Sequence, residues 1–163
     1  MNNNILLCRL SLLLILLSIT GGCASISKDQ LDAEVTRLCA LDGGARIYEA
    51  VRLPASSFNS YGQINFYHPT KKKAALGDEY IFKNKTEQIR SGTTIQIPSD
   101  AEILRFQFQV IRKGDGKLLG ESVLYSRRGG DVPALAHPST FTCPGFDQAD
   151  DIVLLKKVFI RAN

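Results

Sequence analysis

Between Phe106 and Tyr125 the chain turns back on itself, and no other stretch constrains its folding as strongly. Phe106, Phe108 and Val110 alternate with Gln107 and Gln109, the period-two pattern of a strand with one buried face and one wet face. Lys113-Gly114-Asp115-Gly116-Lys117 then supplies a turn, and Leu118 to Tyr125 returns. The hairpin predicts a mainly antiparallel sheet.

Other segments extend that sheet. Arg46 to Leu53 alternates, with Ile47, Val51 and Leu53 on one side, and stops at Pro54. Gln63 to Tyr67 reads as a short strand ended by His68-Pro69, while Glu79 to Ile89 and Thr93 to Ile97 are rich in aromatic and β-branched residues. Ile152 to Ile160 is apolar and β-branched around Lys156-Lys157 and is expected to be a strand, with a helix capped by Asp150 or Asp151 as the alternative. Residues 127–150 carry Gly129-Gly130, Pro133, Pro138 and Pro144, which predicts a long loop.

One helix precedes the strands. Ser27 with Gln30 makes a capping box, Leu31, Val35, Leu38 and Leu41 form an apolar stripe at helical spacing, and Gly43-Gly44 stops it. The expected fold class is α+β: one N-terminal helix packed on a mainly antiparallel β-sheet.

Upstream of the helix, Arg9 is the only charge in the first 27 residues. The apolar run after it, Leu10 to Ile19, is about ten residues long, whereas a membrane-spanning helix needs roughly 20. The run suits the core of a secretory signal peptide. Ile19-Thr20-Gly21-Gly22-Cys23 follows and resembles the lipobox of bacterial lipoproteins, departing from it at Thr20, where that class usually has Leu. The resemblance implies that the Cys23 thiol receives a diacylglycerol and that the chain is cut just before it; in that class the new amine is often acylated as well. Ala24 after the cysteine, rather than Asp, is similar to lipoproteins sorted to the outer membrane. The competing reading is an ordinary signal peptide cut after Ala24. The expected organisation is therefore residues 1–22 as a removed signal peptide, 23–27 as a lipidated start and very short tether, and 28–163 as a single α+β domain. From Cys23 to Ser27 the chain reaches at most about 14 Å.

Losing residues 1–22 takes away Arg9 alone and leaves 19 Lys and Arg against 16 Asp and Glu, a net charge of +3. That is too mild for a nucleic-acid partner, which needs a clustered and strongly basic face. Cys8 leaves with the signal peptide and Cys23 is consumed by lipid, so Cys39 and Cys143 remain in an oxidising compartment. A disulfide between them pins the long loop to the helix. Two free buried thiols, or a metal pair with a histidine, are the alternatives.

Candidate sites are sparse. Arg127-Arg128-Gly129-Gly130-Asp131 places two guanidinium forks beside glycines, a pattern that can hold a phosphate or carboxylate; the plainer reading is a strand end and a turn. Lys71-Lys72-Lys73 reads as a solvated loop, with headgroup contact as its alternative. His68 and His137 both precede proline and lack metal-ligand spacing, and no GxSxG elbow accompanies Ser139. Gly114-Asp115-Gly116 is a turn rather than a calcium loop. Glu49, sharing a strand face with Ile47 and Val51, is expected to pair with Arg46 or Arg52. No catalytic residue, metal ligand or cofactor is assigned.

Cys39-Ala40-Leu41-Asp42-Gly43-Gly44, Tyr48-Glu49, Leu53-Pro54, Gly129-Gly130-Asp131, His137-Pro138-Ser139 and Cys143-Pro144 together resemble small proteobacterial lipoproteins of uncharacterised function. The resemblance implies no activity. The sequence leads to a lipid-anchored protein of the bacterial envelope, at the outer membrane and facing the periplasm. Its expected role is non-catalytic interaction, scaffolding or assembly with a protein partner. A module binding an anionic headgroup or glycan through Arg127 and Arg128 is the alternative, and an enzyme is the least favoured.

Overall fold

The computed structural model describes residues 27–71, 75–89, 101–131 and 138–162. Helix α1 (Lys28–Asp42) leads into β1 (Gly44–Ile47) and β2 (Val51–Leu53). After a braced loop come β3 (Tyr80–Gln88), β4 (Ala101–Arg112), β5 (Leu118–Gly129) and β6 (Thr140–Cys143). A short helix α2 (Phe146–Ala149), helix α3 (Asp151–Val158) and β7 (Phe159–Arg161) complete the fold.

The expected hairpin is β4–β5, and it is the longest pairing in the molecule, running from Ala101↔Gly129 to Ile111↔Leu118 with one irregularity at Val110/Ile111. β3 adds antiparallel to the outer side of β4. The other side of β5 is divided: β1 pairs with Gly120–Val123 and β6 with Tyr125–Arg128. β2 and β7 form a separate parallel pair.

Alternation along this sheet builds a core on each face. On one face Leu31, Val35 and Leu38 of α1 close over Ile103, Val123 and Tyr125. On the other face Leu154, Leu155 and Val158 of α3, with Phe159, close over Phe108, Val110 and Leu124. The fold is thus the expected α+β arrangement, with the Cys39–Cys143 disulfide formed. No helix among the described residues is long and apolar enough to cross a membrane.

Several local expectations are corrected. Arg46–Leu53 is not one strand. The N–H groups of Tyr48 and Glu49 both donate to the Leu119 carbonyl, the chain bends there, and β1 and β2 join different sheets. Glu49 consequently faces Arg112 and Lys117 rather than Arg46 or Arg52, and those cations hold its carboxyl below the usual range. Gln63–Tyr67 is a loop that contributes only the Phe58–Ile64 bridge. Ile152–Ile160 is helix followed by a three-residue strand. The Asp150 carboxylate accepts the Val153 N–H at 2.7 Å, and the buried spacing of Leu154, Leu155 and Val158 gives one helical face. The 127–150 segment carries β6 and α2 within it. Leu41, assigned to the apolar stripe, stands 69% exposed. Thr93–Ile97 lies outside the described residues.

Candidate functional site: a braced helix and a cation-rimmed cleft

Helix α1 is secured to the sheet at both ends. Ser27 caps it, its hydroxyl accepting from the Gln30 N–H while the Gln30 side chain accepts from the Ser27 N–H at 2.8 Å. One turn in, the Asp32 carboxylate accepts from Arg127 Nε at 2.6 Å. Arg127 is only 1% exposed, and its Nη1 also donates to the carbonyls of Gly129 and Ser139 and to the Ser139 hydroxyl. Beside it, Asp131 accepts from the Ser139 N–H and hydroxyl and from Lys28 Nζ. Those donors hold the Asp131 carboxyl at about 2.

At the far end Cys39 meets Cys143 with Cα atoms 5.8 Å apart. Asp42, the last helical residue, accepts from Arg105 Nη2 and from the Tyr125 hydroxyl, both at 2.8 Å. Burial and the Asp42 carboxylate push the Tyr125 phenol up, so it stays a donor. Lys28, Asp32, Cys39 and Asp42 lie along one edge of the helix at offsets of four, seven and three. That stripe runs beside the apolar one, and it is the signal that a purely hydrophobic reading of the helix overlooks.

The arginine pair separates. Successive strand residues point to opposite faces, so Arg127 turns under α1 while Arg128 is exposed. They do not converge on one ligand. The glycines between them and Asp131 serve packing: Gly130 has φ +75°, and a Cβ there would stand 2.8 Å from Leu31 Cδ1. His68 is exposed, and Lys71 is an exposed loop residue. Cys23, Lys72, Lys73 and His137 lie outside the described residues. Among the described residues, no three His, Cys, Asp or Glu side chains are gathered as a metal site would require.

The opposite face of the sheet carries a cleft that the sequence did not announce. Phe58, Ile64, Tyr67, Ile152, Leu155 and Phe159 wall a hollow of about 320 Å³, which opens into a neighbour of about 620 Å³. The two share Phe58, Asn59, Gly62, Lys156 and Phe159. Arg161 joins Lys156 on the rim of the larger one. The 57–65 loop that forms one wall is braced from within. Asn59 Oδ1 accepts the N–H groups of Tyr61 and Gln63 at 2.9 and 3.0 Å, and the Asn65 N–H donates to Ser57 O at 2.9 Å. At the closed end the Tyr67 hydroxyl donates to Asp151 at 2.5 Å, and burial together with that carboxylate pushes the phenol up. A third hollow, of about 350 Å³, is rimmed by Asp78 and Glu79 instead.

No protein-family model matches this chain, and neither a curated protein nor a solved structure matches it.

Proposed function

We propose that this chain is a lipid-anchored envelope lipoprotein with a non-catalytic interaction or assembly role, exercised close to the membrane that holds Cys23. The observation that carries the reading is the bracing of α1. Its cap, Ser27, comes four residues after the lipobox cysteine, and the helix is then fixed to the sheet by two ion-pair clusters and a disulfide. A tether that short, joined to a helix that rigid, suits a domain carried at a set height above a bilayer. Two or three acyl chains on Cys23 make such attachment effectively permanent, since each buried CH₂ contributes about 0.8 kcal/mol. The outer membrane, with the domain facing the periplasm, is the proposed location.

Labelled palmitate tests the anchor. Wild type is expected to incorporate label and Cys23→Ser to lose it; equal labelling, or none in either, refutes the reading. The interaction role is tested by lengthening the tether: ten Gly/Ser residues inserted after Ala24 should change which envelope proteins are recovered by short-range cross-linking. An unchanged cross-linking pattern would count against a role set by height.

A further inference from the structure

We infer that the cleft between the 57–65 loop and α3 binds a small anionic amphiphile, a carboxylate carried on an aromatic or short acyl body. Lys156 and Arg161 would hold the head, and Phe58, Ile64, Leu155 and Phe159 the body. The inference deepens the interaction role proposed above and rests on it only for the compartment in which the ligand is met.

Three features carry it. The first is size, since about 320 Å³ with a wider mouth falls in the range of small-molecule sites. The second is the walls, aromatic and aliphatic where Phe58, Ile64, Leu155 and Phe159 stand and polar where Asn59, Gln63 and Asn65 do, with the buried Phe159 as the floor against Phe66 and Tyr80. The third is charge. Lys156 and Arg161, like Arg52, Arg128 and Lys157, have no carboxylate partner among the described residues, whereas Arg46, Arg105, Arg112, Arg127 and Lys28 are ion-paired; what distinguishes Lys156 and Arg161 is that both line the cleft. The acids nearest along the chain are already engaged: Asp150 caps α3, and Asp151, at the closed end of the cleft, accepts from Tyr67. A cationic rim over an apolar floor complements an anion with an apolar body and disfavours a cation of the same shape. The internal bonds of the 57–65 loop set its wall before ligand arrives, which lowers the ordering cost of binding.

The test uses the full chain in its own membranes. A photoreactive aryl carboxylate and the amine of identical body are cross-linked in parallel, and labelled peptides are mapped by mass spectrometry. The acid should label residues 55–67 and 152–161 saturably, competed by phenylbutyrate and not by phenylbutylamine. Lys156→Glu with Arg161→Glu should lower labelling about tenfold or more, the loss expected when charge-assisted contacts to one anion are reversed. Both side chains are exposed, and a cooperative urea transition with the wild-type midpoint verifies that the variant is folded. Equal labelling by acid and amine, or labelling that survives the double reversal, overturns the inference. So does competition by an acidic peptide but not by phenylbutyrate, which would make the cleft a peptide site. Failure of palmitate labelling would refute the anchor and leave this result standing.

Discussion

The buried pair Arg127–Asp32 should respond asymmetrically to truncation. Arg127 is 1% exposed, whereas the Asp32 side chain retains 25%. Removing the arginine, as in Arg127→Met, leaves a carboxylate that water can still reach and takes one donor from the Gly129 carbonyl, while the Ser139 carbonyl keeps the Gly129 N–H. Removing the acid, as in Asp32→Ala, leaves a guanidinium sealed under α1 with only neutral acceptors. Breaking a buried pair from one side costs about 3–5 kcal/mol. The hydrated carboxylate puts Arg127→Met at the lower end, about 3 kcal/mol, and the stranded cation puts Asp32→Ala at the upper end, about 5 kcal/mol. For a chain of this size each kcal/mol moves Tm by roughly 2–4 °C. Expected falls are therefore about 6–12 °C and about 10–20 °C.

The double variant sharpens the test. With the guanidinium gone, losing Asp32 has little left to disturb, so Arg127→Met with Asp32→Ala should be no less stable than Arg127→Met alone. Urea denaturation under non-reducing conditions measures all four proteins against the same bridged unfolded state. An additive double variant, or an Asp32→Ala protein sturdier than Arg127→Met, would show that Arg127 is not held as a buried, paired charge.

Two further outcomes follow from the same braces. Replacing Cys39 and Cys143 together by Ser releases a constraint spanning 104 residues, and should cost about 4 kcal/mol in denaturant titrations; a loss below about 1 kcal/mol would refute its role in stability. Asp131 has a folded value of about 2 against an ordinary 3.8, so its contribution is full above the ordinary value and disappears as pH falls towards 2. Asp131→Asn should flatten the acid limb of stability between about pH 4 and about pH 2, read from denaturation midpoints at each pH, and an unchanged limb would overturn the assignment.

The hairpin, the capped helix and the disulfide were legible because each is a local or countable pattern: period two, period 3.6 with a capping box, and two cysteines left over. The failures share a physical cause. Ile152–Ile160 is β-branched, but a single carboxylate cap and a three-residue apolar face decided for helix. Arg46–Leu53 alternates throughout, yet two N–H groups competing for the Leu119 carbonyl bend it into separate sheets. Arg127 and Arg128 look like one anion site in sequence and are split by the strand pleat. The cleft was illegible because its walls come from residues some ninety positions apart, brought together by the pairing of β7 with β2, the Tyr67–Asp151 bond and the packing of Phe66 on Phe159.

Helix α1 and the cleft stand on opposite faces of the same sheet, and β5 is the strand they share. Its Val123 and Tyr125 face α1, while Leu124 faces α3. Nothing soft intervenes on the second side. A Cβ on Gly120 would lie 2.8 Å from Val158 Cγ2 and 3.2 Å from Ile47 Cδ1, so α3 rests on bare β5 backbone. One step along, the Ser122 hydroxyl donates to the Ala149 carbonyl at 2.7 Å and ties in the turn that launches α3. Helix α1 and the helix that lines the cleft are thus both locked to one twelve-residue strand, which resists stretching because its backbone is paired along both edges. A domain held in this way cannot swing its cleft independently of α1. The cleft therefore keeps a fixed orientation to α1, and a ligand or partner meets it only from the side that β5 turns away from α1.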